Sequence, residues 1–171
     1  VGGFLGLLSI SKSSNDSLTR SDIGNIEGVK DYGKLDNKHQ QGTLEYPQSP
    51  PAGGNHNPVW VGCDQQVYDR PVPKEMAVHA LEHGAVWITY KAGTDQSRID
   101  ALSSKVKSSG ATFMSPYDDQ RAPIILTSWS KQLEVQETSD PRVDQFLIKY
   151  RKNGQFAPEV GATCADPQGG T

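Results

Sequence analysis

The chain has 171 residues, and its 17 lysines and arginines nearly balance its 20 aspartates and glutamates. The net charge of −3 excludes a general binder of nucleic acid or other polyanions, because no basic surplus exists to neutralise phosphates. The length is close to that of one ordinary domain and the charged fraction of 22% is near the globular average, so we expect one hydrophobic core. The 17 glycines and 11 prolines predict many turns and loops.

Both ends of the chain differ in composition from the middle. Residues 1–10 are apolar and uncharged, and as a helix they would rise only about 15 Å, roughly half of a bilayer core. We interpret them as the end of a longer membrane anchor or signal segment, with an N-terminal strand as the alternative. The composition of residues 11–35 predicts a polar tether, and residues 165–171 predict a flexible tail. A single globular domain is then expected over residues 36–164, outside the cytoplasm.

The pattern of apolar residues predicts an α+β fold. Residues 39–58 are rich in proline and glycine and predict a long loop region. After it, the spacing predicts helices over residues 75–83, 96–108 and 140–152, and strands over residues 85–90, 111–115, 123–129 and 132–137. We therefore expect a small mixed or antiparallel sheet that packs against two or three helices.

The two cysteines, Cys63 and Cys164, are too far apart in sequence for a CxxC metal or redox motif. If the domain is exported, a disulfide between them is the expected state. The alternatives are two free buried thiols in a cytosolic protein, or a catalytic Cys63.

All four histidines lie in the first half of the chain. His79 and His83 are spaced i, i+4 on the predicted helix, so both imidazoles lie on one face and can bind the same metal ion. His56 lies in the loop region and is the expected third ligand, while His39 is a fourth ligand or an outer contact. Imidazole suits copper or zinc, and the alternative is that these side chains are only packed or solvated.

Two methionines are candidate soft ligands. Met76 precedes His79 by three residues on the same helical stripe, and Met114 ends a predicted strand. Thioether sulfur favours Cu(I), so either residue would shift the preference of the site toward copper. Burial in the core is the alternative for both.

The segment from His79 to His83 also matches H-x-x-E-H, the motif of inverted zinc proteases. Glu82 would then be the general base that acts on a zinc-bound water. Such enzymes need a long helix pair, whereas Gly84 is expected to end this helix at once. Glu82 can instead accept a hydrogen bond from a ligand imidazole.

These motifs together resemble the DUF3105 family, bacterial and archaeal proteins of unknown function. The resemblance covers roughly residues 36–164 and is carried by Pro50-Pro51, Gly54-Asn55-His56, Trp60, Cys63, Val78-His79, Leu81-Glu82-His83-Gly84-Ala85-Val86-Trp87-Ile88-Thr89-Tyr90, Ser115-Pro116-Tyr117, Pro158-Glu159 and Cys164. It implies an anchored or exported protein. The family pattern contains the four histidine and two cysteine positions but does not fix Met76, and Asp64 departs from the glycine that usually follows the first cysteine.

The sequence therefore predicts an extracytoplasmic metal-binding domain, most readily for copper and alternatively for zinc, that acts as a carrier, chaperone or sensor. A non-catalytic accessory subunit of a membrane complex is the second hypothesis, and a zinc-dependent hydrolase is the third. The expected partners are a metal ion and the membrane, with no nucleic acid.

Overall fold

The computed structural model describes residues 18–167. The expected anchor segment at residues 1–10, the first part of the expected tether and the end of the expected tail lie outside the described residues.

The fold is built on one six-stranded mixed sheet, so the predicted α+β class is confirmed. The strands are β1 (Lys30–Asp31), β2 (Gln66–Val67), β3 (Val86–Tyr90), β4 (Thr112–Pro116), β5 (Ile124–Ser128) and β6 (Lys131–Val135). Their order across the sheet is β1-β6-β5-β3-β4-β2. The central strand β3 runs parallel to β4 and antiparallel to β5, and β5 and β6 form an antiparallel pair.

In the described part of the chain three α-helices accompany the sheet, each within a residue or two of its predicted bounds, and a short 3-10 helix spans Arg20–Asp22. The three α-helices are α1 (Lys74–Glu82), α2 (Gln96–Lys107) and α3 (Pro141–Tyr150). The start of α3 shows why the prediction succeeded: the carboxylate of Asp140 accepts a hydrogen bond from the Arg142 amide, and Pro141 occupies the first helical turn. None of the helices within residues 18–167 has the length and apolar character that a membrane span requires.

Strand alternation divides the core into two sides. Val86 and Ile88 of β3 pack in the same cluster as α2 and α3, whereas Trp87 between them packs with α1. In β4 the same alternation places Phe113 on the α1 side and Met114 on the α2–α3 side. The sheet therefore separates Met114 from α1 and its histidines.

Two short strands were not predicted, and one of them lies in the expected tether. Lys30 and Asp31 of β1 pair with β6, and Ile26 just before them is only 6% exposed within the core. Arg142 of α3 also donates a hydrogen bond to the carbonyl of Glu27. Ile23 and Val29 also pack against this core. Because only these few apolar side chains and backbone contacts hold the segment, its polar composition gave no sign of strand pairing. The described end of the expected tether thus packs on the domain.

The predicted disulfide between Cys63 and Cys164 is confirmed. Both residues are buried, and the Cys63 amide donates a hydrogen bond to the Cys164 carbonyl at 2.9 Å. The bond joins the segment before α1 to the end of the domain across 101 residues of sequence.

Reduction of this disulfide should destabilise the domain substantially. Closing a loop of about 100 residues lowers the entropy of the unfolded chain, which corresponds to about 4–5 kcal/mol of folding free energy. Chemical denaturation of the oxidised and reduced protein measures the difference. Free-thiol labelling of the denatured, non-reduced protein is the control, and two reactive thiols per chain would contradict the bond.

Candidate metal centre

The helix α1 is buried on nearly every side, and this brings His79 and His83 into the protein interior. Within this helix Val78, Ala80 and Leu81 are fully buried, while His79 is 3% and His83 is 2% exposed. The helix ends at Glu82, and Gly84 follows two residues later with a φ of +93°, a conformation that favours glycine. A Cβ at Gly84 would lie 3.0 Å from the Lys152 backbone.

The long loop region brings the other two histidines to the same helix. The amide of Gln40 donates to the His56 carbonyl at 2.8 Å, and the His56 amide donates to the Lys38 carbonyl at 3.0 Å, so His39 and His56 lie side by side. The Asn57 amide donates to the carbonyl of Glu75 at 3.2 Å, which fixes this loop against the start of α1.

The four imidazoles form one continuous cluster. The centroid separations are 5.2 Å for His39–His56, 5.0 Å for His39–His79, 4.8 Å for His56–His79 and 4.7 Å for His79–His83. His79 is therefore the centre of the cluster and contacts each of the other three rings. His39 is exposed, whereas the other three are buried.

Backbone carbonyls fix the orientation of the three buried rings. The Nδ1 atoms of His56, His79 and His83 lie 2.8, 2.7 and 2.8 Å from the carbonyls of Gly54, Asn57 and Thr163. A carbonyl oxygen can only accept a hydrogen bond, so each Nδ1 carries the proton. In the neutral ring Nε2 then carries the lone pair, which is the arrangement that metal-binding histidines adopt.

The carboxylate of Glu82 lies among these ring nitrogens. Its Oε2 atom is 2.7 Å from Nε2 of His56, and the Glu82 side chain is 2% exposed. Among the described residues, neither of these two atoms has a partner that meets hydrogen-bond geometry. A buried lone pair and a buried carboxylate oxygen at this distance need a proton or a cation between them.

The expected role of Glu82 as an acceptor of a hydrogen bond from a ligand imidazole stays a prediction, and the structure shows which nitrogen of His56 the carboxylate faces. An outer carboxylate normally holds the ring nitrogen that does not bind the metal. Here the Gly54 carbonyl already holds that nitrogen of His56, and Glu82 lies at the other one. The carboxylate thus faces the nitrogen of His56 that is not held by a carbonyl.

Within residues 18–167, two sets of donors can each enclose a cation. The first set, called the inner set below, is His39, His56, His79 and Glu82, and the second, the outer set, is His79, His83 and Glu159. Within each set the donor atoms lie within 4.8 Å of one another. Tetrahedral ligands at metal–nitrogen distances near 2.0–2.1 Å are roughly 3.3 Å apart. To enclose an ion, the widely spaced donors would move inward, while His56 and Glu82, at 2.7 Å, would move slightly apart.

The buried histidines of the cluster differ in the direction in which their pKa values are shifted. Burial, together with the neighbouring imidazoles of His83 and His56, lowers the pKa of His79 to about 4. Burial also lowers the pKa of His83. Burial opposes the charge on His56, but the contact with Glu82 outweighs it and raises the pKa of His56 above its ordinary value. Despite burial, the same contact lowers the pKa of Glu82.

Two tryptophans border the cluster. The ring of Trp60 lies 5.5 Å from that of His79 and 4.9 Å from that of His83, and its Nε1 donates to the Ala165 carbonyl. Trp129 meets His56 edge-on at 6.1 Å. These aromatic rings limit the access of water to the buried imidazoles.

The structure places the other predicted residues differently. Met114 lies in the core on the far side of the sheet, so its predicted role as a soft ligand does not fit the fold. Met76 is partly buried and lines a surface groove together with Trp60 and Tyr68. Glu159 was not predicted, although its position five residues before Cys164 would have placed it near the cluster once the disulfide was assumed.

The sequence pattern described as "Protein of unknown function (DUF3105)" matches residues 37–166, which is most of the chain. The chain belongs to the DUF3105 family. No match was found among curated proteins or among solved structures. The predicted family is thus confirmed, and the histidine cluster lies entirely within the matched residues of this DUF3105 domain.

In the metal-free protein, His79 should stay neutral over most of the acidic range. Its pKa of about 4 means that the imidazole is protonated only as the pH falls toward 4. A long-range proton–nitrogen correlation spectrum, recorded from pH 8 to pH 4, should show His79 with its proton on Nδ1 throughout the upper part of this range. Titration of His79 near pH 6.5, the value of a solvated histidine, would contradict the burial argument.

Proposed function

We propose that this domain binds one divalent transition-metal ion through His39, His56, His79 and Glu82, and that it acts outside the cytoplasm as a metal carrier, chaperone or sensor. The supporting observation is that carbonyls hold Nδ1 of His56 and His79, that Nε2 of His56 meets the buried Glu82 carboxylate at 2.7 Å, and that one donor atom each of His39, His56, His79 and Glu82 lies within 4.8 Å of the others. A packing role alone does not require a buried carboxylate beside a buried imidazole.

The donor set favours a borderline divalent ion. Three imidazoles and one carboxylate suit copper(II) or zinc, and copper(II) is bound more tightly than zinc by a given site of nitrogen and oxygen ligands. The Glu82 carboxylate is buried, so its charge acts on a bound cation with little screening by water. Copper(II) is the first candidate and zinc is the alternative.

The position of the methionines argues against a site built for Cu(I). A Cu(I) preference needs soft thioether or thiolate ligands. Met114 is on the opposite side of the sheet, and both cysteines are joined in the disulfide. Copper(II) therefore fits the donors better than Cu(I).

The zinc-hydrolase hypothesis gains no support from the geometry of Glu82. A general base has to face a metal-bound water that is open to substrate. The Glu82 carboxylate instead contacts His56, accepts a hydrogen bond from Asn37 Nδ2 at 3.3 Å, and is almost completely buried.

An extracytoplasmic location is supported by the chemistry of the disulfide. Disulfides persist in oxidising compartments and are rare in the cytosol of most organisms. The Cys63–Cys164 bond joins the two segments that border the histidine cluster, so the proposed site forms in an oxidised domain. We further propose that the apolar segment at residues 1–10 belongs to an anchor that holds the domain at a membrane.

Removal of one buried imidazole should weaken metal binding strongly. His56→Ala or His79→Ala leaves three of the four inner donors, and the affinity for copper(II) should fall at least about 10- to 100-fold, the range that even the loss of outer contacts reaches. Calorimetric titration of the untagged protein measures this loss, and circular dichroism checks that each variant is folded.

Met114→Leu is the matched control, because it changes a buried side chain of the same domain without changing the histidine cluster. It should leave copper(II) affinity within about threefold of the wild type, because similar-volume core exchanges are well tolerated. Equal affinity of the wild type and both histidine variants would contradict the proposed function.

Metal affinity should also depend on pH. The proton that Glu82 favours on His56 competes with the metal, because the pKa of His56 is raised. Affinity should therefore begin to fall at a pH above the ordinary histidine pKa of about 6.5 as the solution is acidified. In Glu82→Gln this fall should begin at a lower pH, and an unchanged midpoint would contradict the competition.

The location is tested by protease treatment of intact cells that carry the full protein. An extracytoplasmic domain should be removed from the cell surface, or from the periplasm once the outer layer is opened, while a cytosolic marker stays intact. A domain that is cut only after the cells are lysed would contradict the proposed location.

A further inference from the structure

The outer set of donors lies beside the inner set, in which three of the four donors are buried. It consists of His79, His83 and Glu159, with Nε2 of His83 at 3.9 Å from Oε2 of Glu159. The two sets share His79. Any role of the outer set in the movement of this ion rests on the proposed function.

His79 can serve only one of the two sets at a time. Its Nδ1 is bound to the Asn57 carbonyl at 2.7 Å, so one ring nitrogen is left with a lone pair. A single lone pair binds a single ion. The two sets are therefore alternative positions for one ion rather than two sites that are filled together.

The two positions differ in number of donors, and each of them includes one exposed donor, His39 in the inner set and Glu159 in the outer set. The inner set has four donors, of which His56, His79 and Glu82 are buried. The outer set has three donors, and the side chain of Glu159 is 52% exposed. An ion should therefore be held more tightly at the inner position and exchanged more readily at the outer one.

The backbone keeps the two positions next to each other. The Glu159 amide donates to the Glu82 carbonyl at 3.0 Å, so the backbone that carries Glu159 is fixed to the end of α1, which carries Glu82. The rings of His56 and His83 lie 4.8 and 4.7 Å from that of His79, on which both positions depend. An ion that keeps its bond to His79 can thus exchange His83 and Glu159 for His56 and Glu82.

We propose that His79, His83 and Glu159 form an entry and exit position for the metal ion, from which the ion passes to the inner position without leaving His79. The oxidation state of the ion does not change in this exchange. Glu159 is the donor that a chelating partner reaches first, because its carboxylate is the exposed one of the outer set.

The direct test is the kinetics of copper(II) exchange in Glu159→Gln. This substitution removes the charge of an exposed side chain and retains its size and its backbone contact. Glu137→Gln is the matched control, because Glu137 is also exposed, at 60%, and pairs with Arg98 in another part of the domain. Stopped-flow mixing with copper(II) measures loading, and transfer to a chromophoric chelator measures release.

We expect loading and release to slow together in Glu159→Gln by about 10-fold or more, with the equilibrium affinity within about threefold of the wild type. Glu137→Gln should behave as the wild type. Unchanged rates in Glu159→Gln would overturn the entry position. A loss of affinity that is carried by faster release alone would also overturn it, because Glu159 would then be a ligand of the final site.

A second measurement asks whether the outer position holds an ion when the inner one is weakened. Glu82→Gln should still bind one copper(II), with an electron paramagnetic resonance spectrum that differs from the wild type, and Glu159→Gln added to it should abolish this residual binding. Residual binding that survives Glu159→Gln would contradict the proposal.

The entry position and the proposed function can fail separately. If the wild type binds copper and its affinity depends on His56 and Glu82, but the two tests of the entry position fail, the proposed function stands without that position. If the wild type binds no metal, both fail.

Discussion

Three backbone carbonyls determine what the histidine cluster can do. The oxygens of Gly54, Asn57 and Thr163 hold Nδ1 of the three buried rings, and this constraint leaves one nitrogen of each ring available. The carbonyls come from the loop before α1 and from the segment after α3, so the cluster forms only when both are folded onto the helix. The disulfide adjoins the second of these contacts, since Cys164 follows Thr163 directly.

The Glu82 carboxylate then determines the charge of the cluster. A group of neutral imidazoles alone would be polar but uncharged. Glu82 adds a buried negative charge at 2.7 Å from a ring nitrogen, and a buried charge is stable only when it is paired. In the metal-free protein a proton on His56 supplies the pairing, as the raised pKa of His56 and the lowered pKa of Glu82 indicate. A divalent cation that replaces this proton neutralises the same charge and gains three imidazole ligands.

The sequence predicts the regular parts of the fold because their signals are local. Helical spacing in α1 and the apolar run of β3 depend on neighbouring residues, and the two cysteines leave a single possible intrachain pairing. The side chains at the site depend on distant contacts instead. Which carbonyl holds each ring, and whether Glu82 meets the ligating nitrogen of His56 or the other one, follows only from how the loop region packs on α1.

The methionines and the first strand show the same limit. Met114 and its neighbour Phe113 face opposite sides of the sheet, and no local pattern states which side α1 covers. The strand at Lys30 and Asp31 pairs with β6 through backbone hydrogen bonds, and a polar sequence carries no pattern that predicts such pairing. The sequence thus predicted the histidines as a group, but it also included Met114, which lies on the opposite side of the sheet from them.

The central claim is that one ion is held by three imidazoles and the Glu82 carboxylate. The most direct measurement is a crystal structure of the copper-loaded protein with data collected on both sides of the copper absorption edge. The account predicts one anomalous peak per chain, enclosed by His39, His56, His79 and Glu82. Metal–ligand distances should be about 2.0–2.2 Å, the range of nitrogen and oxygen ligands around zinc. A peak bound elsewhere on the chain, or no peak at the histidine cluster at saturating copper, would contradict it.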